Sequence, residues 1–395
     1  MKQRVPFYYN EFGCITSECK DNCCIGGWEI DIDDETYERY NNMTGELKSR
    51  ILDSITQNED EEYCFKLCDG KCPMLDDNGL CEIHKNLGED YLGVVCKQFP
   101  RYSEYYGTIK ESGIGLACEE AARIILSENR PFSMETAACD EQYEPSSEYD
   151  SSFALQIFAA REAVFKILAE ESLSIHEKLI VILDMGSKIQ QCINTDEYDN
   201  IKSVVNDYLK EGIAHTLDET RNLSDSGQFE DISLQQGIRQ ILYPYEEMEV
   251  LNPEWEVILN DIIDSLFEQM SDEEYNILNE EFGTYMVSRA YEYRQLLEYL
   301  VFRYFAKSIY DYDFLGKCQM LVTNFFVIRQ MDIIRWLDNH REYSFKDRMD
   351  VVHIFSRQVE YSEDNIENLY EDFIFDDIFK TDSLIAILWI DSENI

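Results

Sequence analysis

The chain of 395 residues carries 34 basic against 80 acidic side chains, a formal net charge of −46. Such a surface repels phosphates, which sets nucleic acid aside as a partner; it is either plain solvation or a field that draws a cation such as a lysine side chain or a sulfonium. Hydrophobic residues make up 45%, enough for globular cores, yet no apolar run reaches the roughly 18 residues that cross a bilayer.

The opening "MKQRVPFYYNEF" has no apolar stretch behind its basic residues, so no signal peptide is visible and a cytoplasmic protein without membrane contact is expected. Residues 1–139 read as an irregular, cysteine-rich domain that binds metal. Within it, "DDETYERYNNMTGELKSRILDSI" predicts a helix capped by Asp33 and Asp34. "SEYYGTIKESG" predicts a short hairpin, and "LACEEAARIILSE" predicts a second helix.

The polar stretch "CDEQYEPSSEYDSS", residues 139–152, marks a domain boundary. From 153 to 395 the pattern is a larger all-α domain: "FALQIFAAREAVFKILAEE" and "QLLEYLVFRYFAKSIYDY" repeat apolar residues at three- and four-residue spacing. "TLDETRNLSDSGQFEDIS", residues 216–233, reads as an exposed loop. The expected fold class is therefore mainly α.

Eleven of the 13 cysteines lie at or before Cys139. An exported disulfide scaffold would be short and loop-rich and would carry a leader; thiols clustered at one end of a long chain point instead to metal or cluster ligation. Thiolates are soft ligands for zinc or iron, and more of them are present than one tetrahedral zinc or one iron–sulfur cubane needs. Cys64, Cys139, Cys192 and Cys318 suit a buried, inert role; His84 beside Cys81 could complete a zinc site, although an ordinary surface or core histidine is the first expectation there. A radical-SAM signature is absent: the C-x3-C of Cys19 and Cys23 would need a third cysteine where Gly26 stands.

"CKDNCCIGGWEIDI" (19–32), "CPMLDDNGLCEIH" (72–84), "CKQFPRY" (96–102) and "LACEEAARIIL" (116–126), with a more diffuse match at "LEYLVFRYFAKSIYD" (297–311), together resemble the flagellin lysine-N-methylase family. The opening overlaps the broader cysteine-rich zinc/iron-chelating family, although its first spacings are longer and Glu119 stands where a proline is expected. The resemblance implies methyl transfer from S-adenosylmethionine to lysine amines of flagellin. It also implies an iron–sulfur cluster, of the [4Fe–4S] kind or with zinc as the alternative, held by ligands among Cys14, Cys19, Cys23, Cys24, Cys72, Cys81, Cys96 and Cys118.

Only a neutral amine can attack a sulfonium methyl group, and free lysine has a pKa near 10.4. Aromatic faces and tyrosine hydroxyls can hold the cation and orient the amine, which makes Tyr299, Arg303 and Tyr304 the candidate catalytic residues; plain core packing of that helix is the competing expectation. "ESGIGLAC" imitates the acidic-glycine loop of common methyltransferases, but no alternation of strands and helices accompanies it. Its turn is expected to deliver Cys118 to the metal. Two other classes stay open: an iron–sulfur electron carrier or redox sensor, and a zinc-stapled adaptor without catalysis.

Overall fold

The computed structural model describes residues 1–20, 22–26, 28–58, 61–139, 150–225 and 232–393. It is 67% helix and 9% strand, the mainly α class expected from the periodicity. The stretch expected to hold the domain boundary falls largely on residues 140–149, outside the described residues.

The cysteine-rich part is less irregular than its sequence suggests. Strands β1 (Lys2–Pro6), β2 (Ile55–Gln57), β3 (Tyr63–Phe65), β4 (Arg101–Tyr106), β5 (Ile109–Ile114) and β6 (Met134–Ala138) form two sheets. One is the β2–β3 hairpin; the other has the order β4-β5-β1-β6. The expected hairpin is β4–β5, turned at Gly107 with φ of 60°, a conformation open to glycine without steric cost. The sequence had not suggested β1, which pairs parallel with β5 and antiparallel with β6.

The single helix expected from Asp33 onward is two, Asp34–Asn42 and Glu46–Asp53, broken at Gly45 with φ of 114°. Asp33 caps the first by accepting from the Thr36 amide. A small core gathers here around Ile30, Ile32, Tyr40, Ile51, Met74 and Ile83.

The large core begins at Tyr8 and Phe12, takes in the helix Glu119–Leu126, and runs through the helices to Trp389. At its centre lies Phe314–Asp338, buried on nearly every side, as its all-round apolar sequence demands. Its Asp332 is not stranded: Tyr293 (2.6 Å), Arg348 (2.6 Å) and Tyr343 all donate to it. The sheet is tied to the helices by a buried bidentate pair, Arg161 to Glu111 on β5, with both contacts at 2.6 Å. The loop expected over 216–233 is instead helical through Asp225 in its described part, because Thr220 accepts a hydrogen bond from the Trp389 indole at 3.2 Å and Arg221 lies over that ring. Residues 226–231 are outside the described residues.

Candidate functional site

All eight cysteines expected to bind metal line one cavity of about 610 Å³. Each arrives on a short turn or helix end. Cys14 and Cys19 flank the turn Thr16–Glu18, and Cys23 and Cys24 follow it. Cys72 comes after β3 and its amide donates to the Cys24 carbonyl at 2.8 Å. Cys81 and Cys118 begin the helices Glu82–Leu87 and Glu119–Leu126, and Cys96 lies within Val94–Gln98. The glycine turn after β5 does deliver Cys118 to this wall. His84 lies on it too, whereas Cys64, Cys68, Cys139, Cys192 and Cys318 do not.

All 13 cysteines are free thiols. Charge on Cys23, Cys72 or Cys96 opposes ionisation of Cys24, and charge on Cys81 or Cys23 opposes ionisation of Cys72 and Cys96. Cys14, Cys19 and Cys118 form a second neighbourhood that meets the first at Cys23. Burial pushes Cys72 and Cys118 up to about 11. A hydrogen bond donated by Cys24 lowers Cys23 and raises Cys24. A soft cation in the cavity would reverse this trend, since thiolates bind it and thiols do not. Among the described residues, however, no three Cys, His, Asp or Glu side chains converge on a single ion position.

Glu119, the departure from the expected proline, fastens the Cys19 segment: its carboxylate accepts from the Cys19 thiol at 3.2 Å and the Lys20 amide at 2.9 Å. Gly26 has a steric role, because a Cβ there would stand 2.7 Å from Arg357 Nη2. That guanidinium donates to the Gly26 carbonyl at 2.8 Å and lies 4.7 Å over the Trp28 ring.

Trp28 and Phe99, both on the cavity wall, pack against each other and against Tyr361, whose ring stacks on Trp28 at 5.7 Å. Behind Tyr361 lies a buried network containing the three residues singled out from the sequence. Tyr299 and Tyr304 each donate to Glu360 Oε2 at 2.9 Å, and Arg303 Nε sits 2.9 Å from the same oxygen. The Arg303 guanidinium also lies 4.4 Å over the Tyr102 ring. Burial holds both tyrosine hydroxyls well above the usual phenol range, so they act as donors. The loop before Cys118 rests on this network, with the Leu116 amide donating to Tyr299 at 3.3 Å. Sequence reading missed Glu360, Tyr361 and Tyr102. Nothing local marks Glu360 and Tyr361, since "RQVEYSE" has no motif, and although Tyr102 closes "CKQFPRY", its partners are distant in the chain.

With this geometry in place, comparison with known proteins gives a family. Residues 161–387, more than half of the chain, match the family described as FliB lysine N-methylase C-terminal domain. The chain belongs to that family.

Over 129 residues it is 32% identical to a flagellar biosynthetic protein FliU of Salmonella muenchen, covering 31% of this chain and 76% of that one. The same identity over the same length relates it to the lysine-N-methylases of Salmonella typhimurium and Salmonella choleraesuis, of which 32% is covered. The match thus spans about a third of those enzymes. No solved structure matches. Among the described residues no helix is long and apolar enough to cross a membrane.

Proposed function

We propose that this protein is a protein-lysine N-methyltransferase acting on flagellin, with S-adenosylmethionine as methyl donor and an iron–sulfur cluster, of the [4Fe–4S] type, held by cysteines of the cavity. The observation that carries this reading is the convergence of eight thiols on one cavity wall in a chain of the FliB lysine N-methylase family. When bound, such a cluster staples the loops that carry its ligands and supplies an electron-transfer centre.

The chain's own contribution is positional. Trp28 and Phe99 give the thiol-lined cavity an aromatic side, with Arg357 and the Cys23 carbonyl, which accepts from the Trp28 indole at 2.7 Å, fixing that ring. A net charge of −46 draws lysine-bearing proteins toward the surface.

The test is purification without oxygen, iron and sulfide assay, and incubation with S-adenosylmethionine and flagellin followed by mass spectrometry. The expected result is a brown protein bleached by dithionite that adds methyl groups to flagellin lysines. Zinc in place of iron and sulfide would overturn the cluster, and an anaerobic iron-loaded protein that transfers no methyl group would overturn the activity.

A further inference from the structure

We infer that the Glu360 carboxylate, walled by Tyr102, Tyr299, Tyr304 and Tyr361, is the receiving site for a primary alkyl amine, the lysine side chain of the substrate. This rests on the methyltransferase reading above for the identity of the amine, but the site itself rests on hydrogen bonding and geometry.

The first observation is an imbalance within one carboxylate. Glu360 is only 7% exposed, and its Oε2 takes Tyr299, Tyr304 and Arg303, all at 2.9 Å. Among the described residues its Oε1 has no partner, and neither does the hydroxyl of Tyr102. A buried charged acceptor left unpaired is costly. Glu360 and Tyr102 meet at one guanidinium, since Arg303 sits 2.9 Å from Glu360 Oε2 and 4.4 Å over the Tyr102 ring. The unmet requirement is for a small donor with more than one N–H, and a primary amine is such a group.

The second observation is charge. Arg303 and Glu360 already neutralise one another, so an incoming ammonium meets no uncompensated anion and has a fixed cation beside it. Both conditions favour the neutral form of a lysine amine over the ammonium, and the neutral form is the one with a free lone pair. The amine can donate N–H to Glu360 Oε1 in either form, and the proton it loses on entry leaves to water.

The third observation is access. Tyr361 is 36% exposed, packs against Trp28 and Phe99, and carries the Arg303 guanidinium 5.8 Å over its ring. Gly115 lets the loop to Cys118 lie flat on this spot: a Cβ there would stand 2.9 Å from the Tyr361 hydroxyl and 3.2 Å from Arg303 Nη1. A lysine side chain entering past Tyr361 would lay its methylenes along the aromatic wall shared with the cavity.

The probe is n-butylammonium, titrated into the iron-loaded full chain while the thermal midpoint and tryptophan fluorescence are followed, with n-butanol as the control that lacks the amine. Saturable binding of the amine but not the alcohol is expected, weakened at least tenfold by Glu360→Gln and a few-fold by Tyr102→Phe. Tyr102→Phe removes only an unpartnered hydroxyl, so it decides the matter should Glu360→Gln fail to fold. Unchanged amine binding in the folded variants would overturn the site. Amine binding that depends on Glu360, in a protein that methylates nothing, would uphold the site and overturn the methyltransferase reading. Flagellin methylation with a KM indifferent to both substitutions would do the reverse.

Discussion

Glu298, on the same helix as Tyr299 and Arg303, makes the stability of the fold depend on pH in a way that can be worked out in advance. Burial pushes its carboxyl from 4.5 up to about 7, against the opposing pull of Arg294 and Lys178. The folded state therefore favours the protonated form. Stability from this group is fully present below about pH 4.5, declines as pH rises, and is gone above about pH 7. At about 1.36 kcal/mol per pH unit the whole effect is about 3 kcal/mol, of which about 2.5 kcal/mol falls between about pH 5 and pH 8. Glutamine imitates the protonated form and keeps an acceptor for Arg294, which reaches Glu298 at 2.8 Å. Urea unfolding of wild type and Glu298→Gln, followed by helical circular dichroism, isolates the term from every other titrating group. The wild type should lose ground to the variant by about 2.5 kcal/mol across that range. A difference that stays flat would show that Arg294 and Lys178 cancel burial, and one that favours the wild type at high pH would show that they outweigh it.

Three further outcomes can be checked. Gly186→Ala would place a Cβ 2.5 Å from Cys318 Sγ, where two core helices cross; a loss of about 1–3 kcal/mol in urea melts is expected, partly recovered in the double variant with Cys318→Ala, and strict additivity would refute the steric explanation. Gly115→Ala should disturb Arg303 and Tyr361 and reduce flagellin methylation about tenfold or more, with helical content unchanged; full activity would mean that the loop has room to spare. Stripping metal from the loaded protein should speed amide exchange in residues 28–58 and 61–92, whose core is small, while the helices beyond residue 150 keep their protection; equal protection with and without metal would remove the stapling role.

How legible was this molecule in its sequence? Helices with a strong apolar period were readable: "FALQIFAAREAVFKILAEE" became Ser151–Ala169. The thiol cavity was readable in outline because cysteines are scarce in ordinary chains and here came in dense groups beside turn residues. Strands β1 and β6 were not, since "KQRVP" and "METAA" have no alternating apolar pattern and are held by pairing across more than a hundred residues. The helix over residues 213–225 was misread because Asp218, Glu219 and Arg221 look solvated, whereas docking onto Trp389 decides the conformation. Glu360 escaped for a related reason. Its meaning lies in Tyr299, Arg303 and Tyr304, more than fifty residues earlier, and only the fold brings them together.

Strand β1 has a consequence for how the chain is made. It sits inside its sheet, between β5 and β6, and all eight cavity cysteines lie in the stretch that β1 and β6 enclose. On a ribosome the β1–β6 pairing that closes that stretch must wait until residue 138 has emerged, which at about 5–20 residues per second takes roughly seven to thirty seconds. During that interval the thiols are bare and reachable by oxidants as well as by iron. On the proposed iron–sulfur reading, the interval between synthesis of the first strand and the last is the window for loading. On that same proposed reading, a cell short of iron should accumulate oxidised, unclosed chains rather than folded protein lacking only its metal.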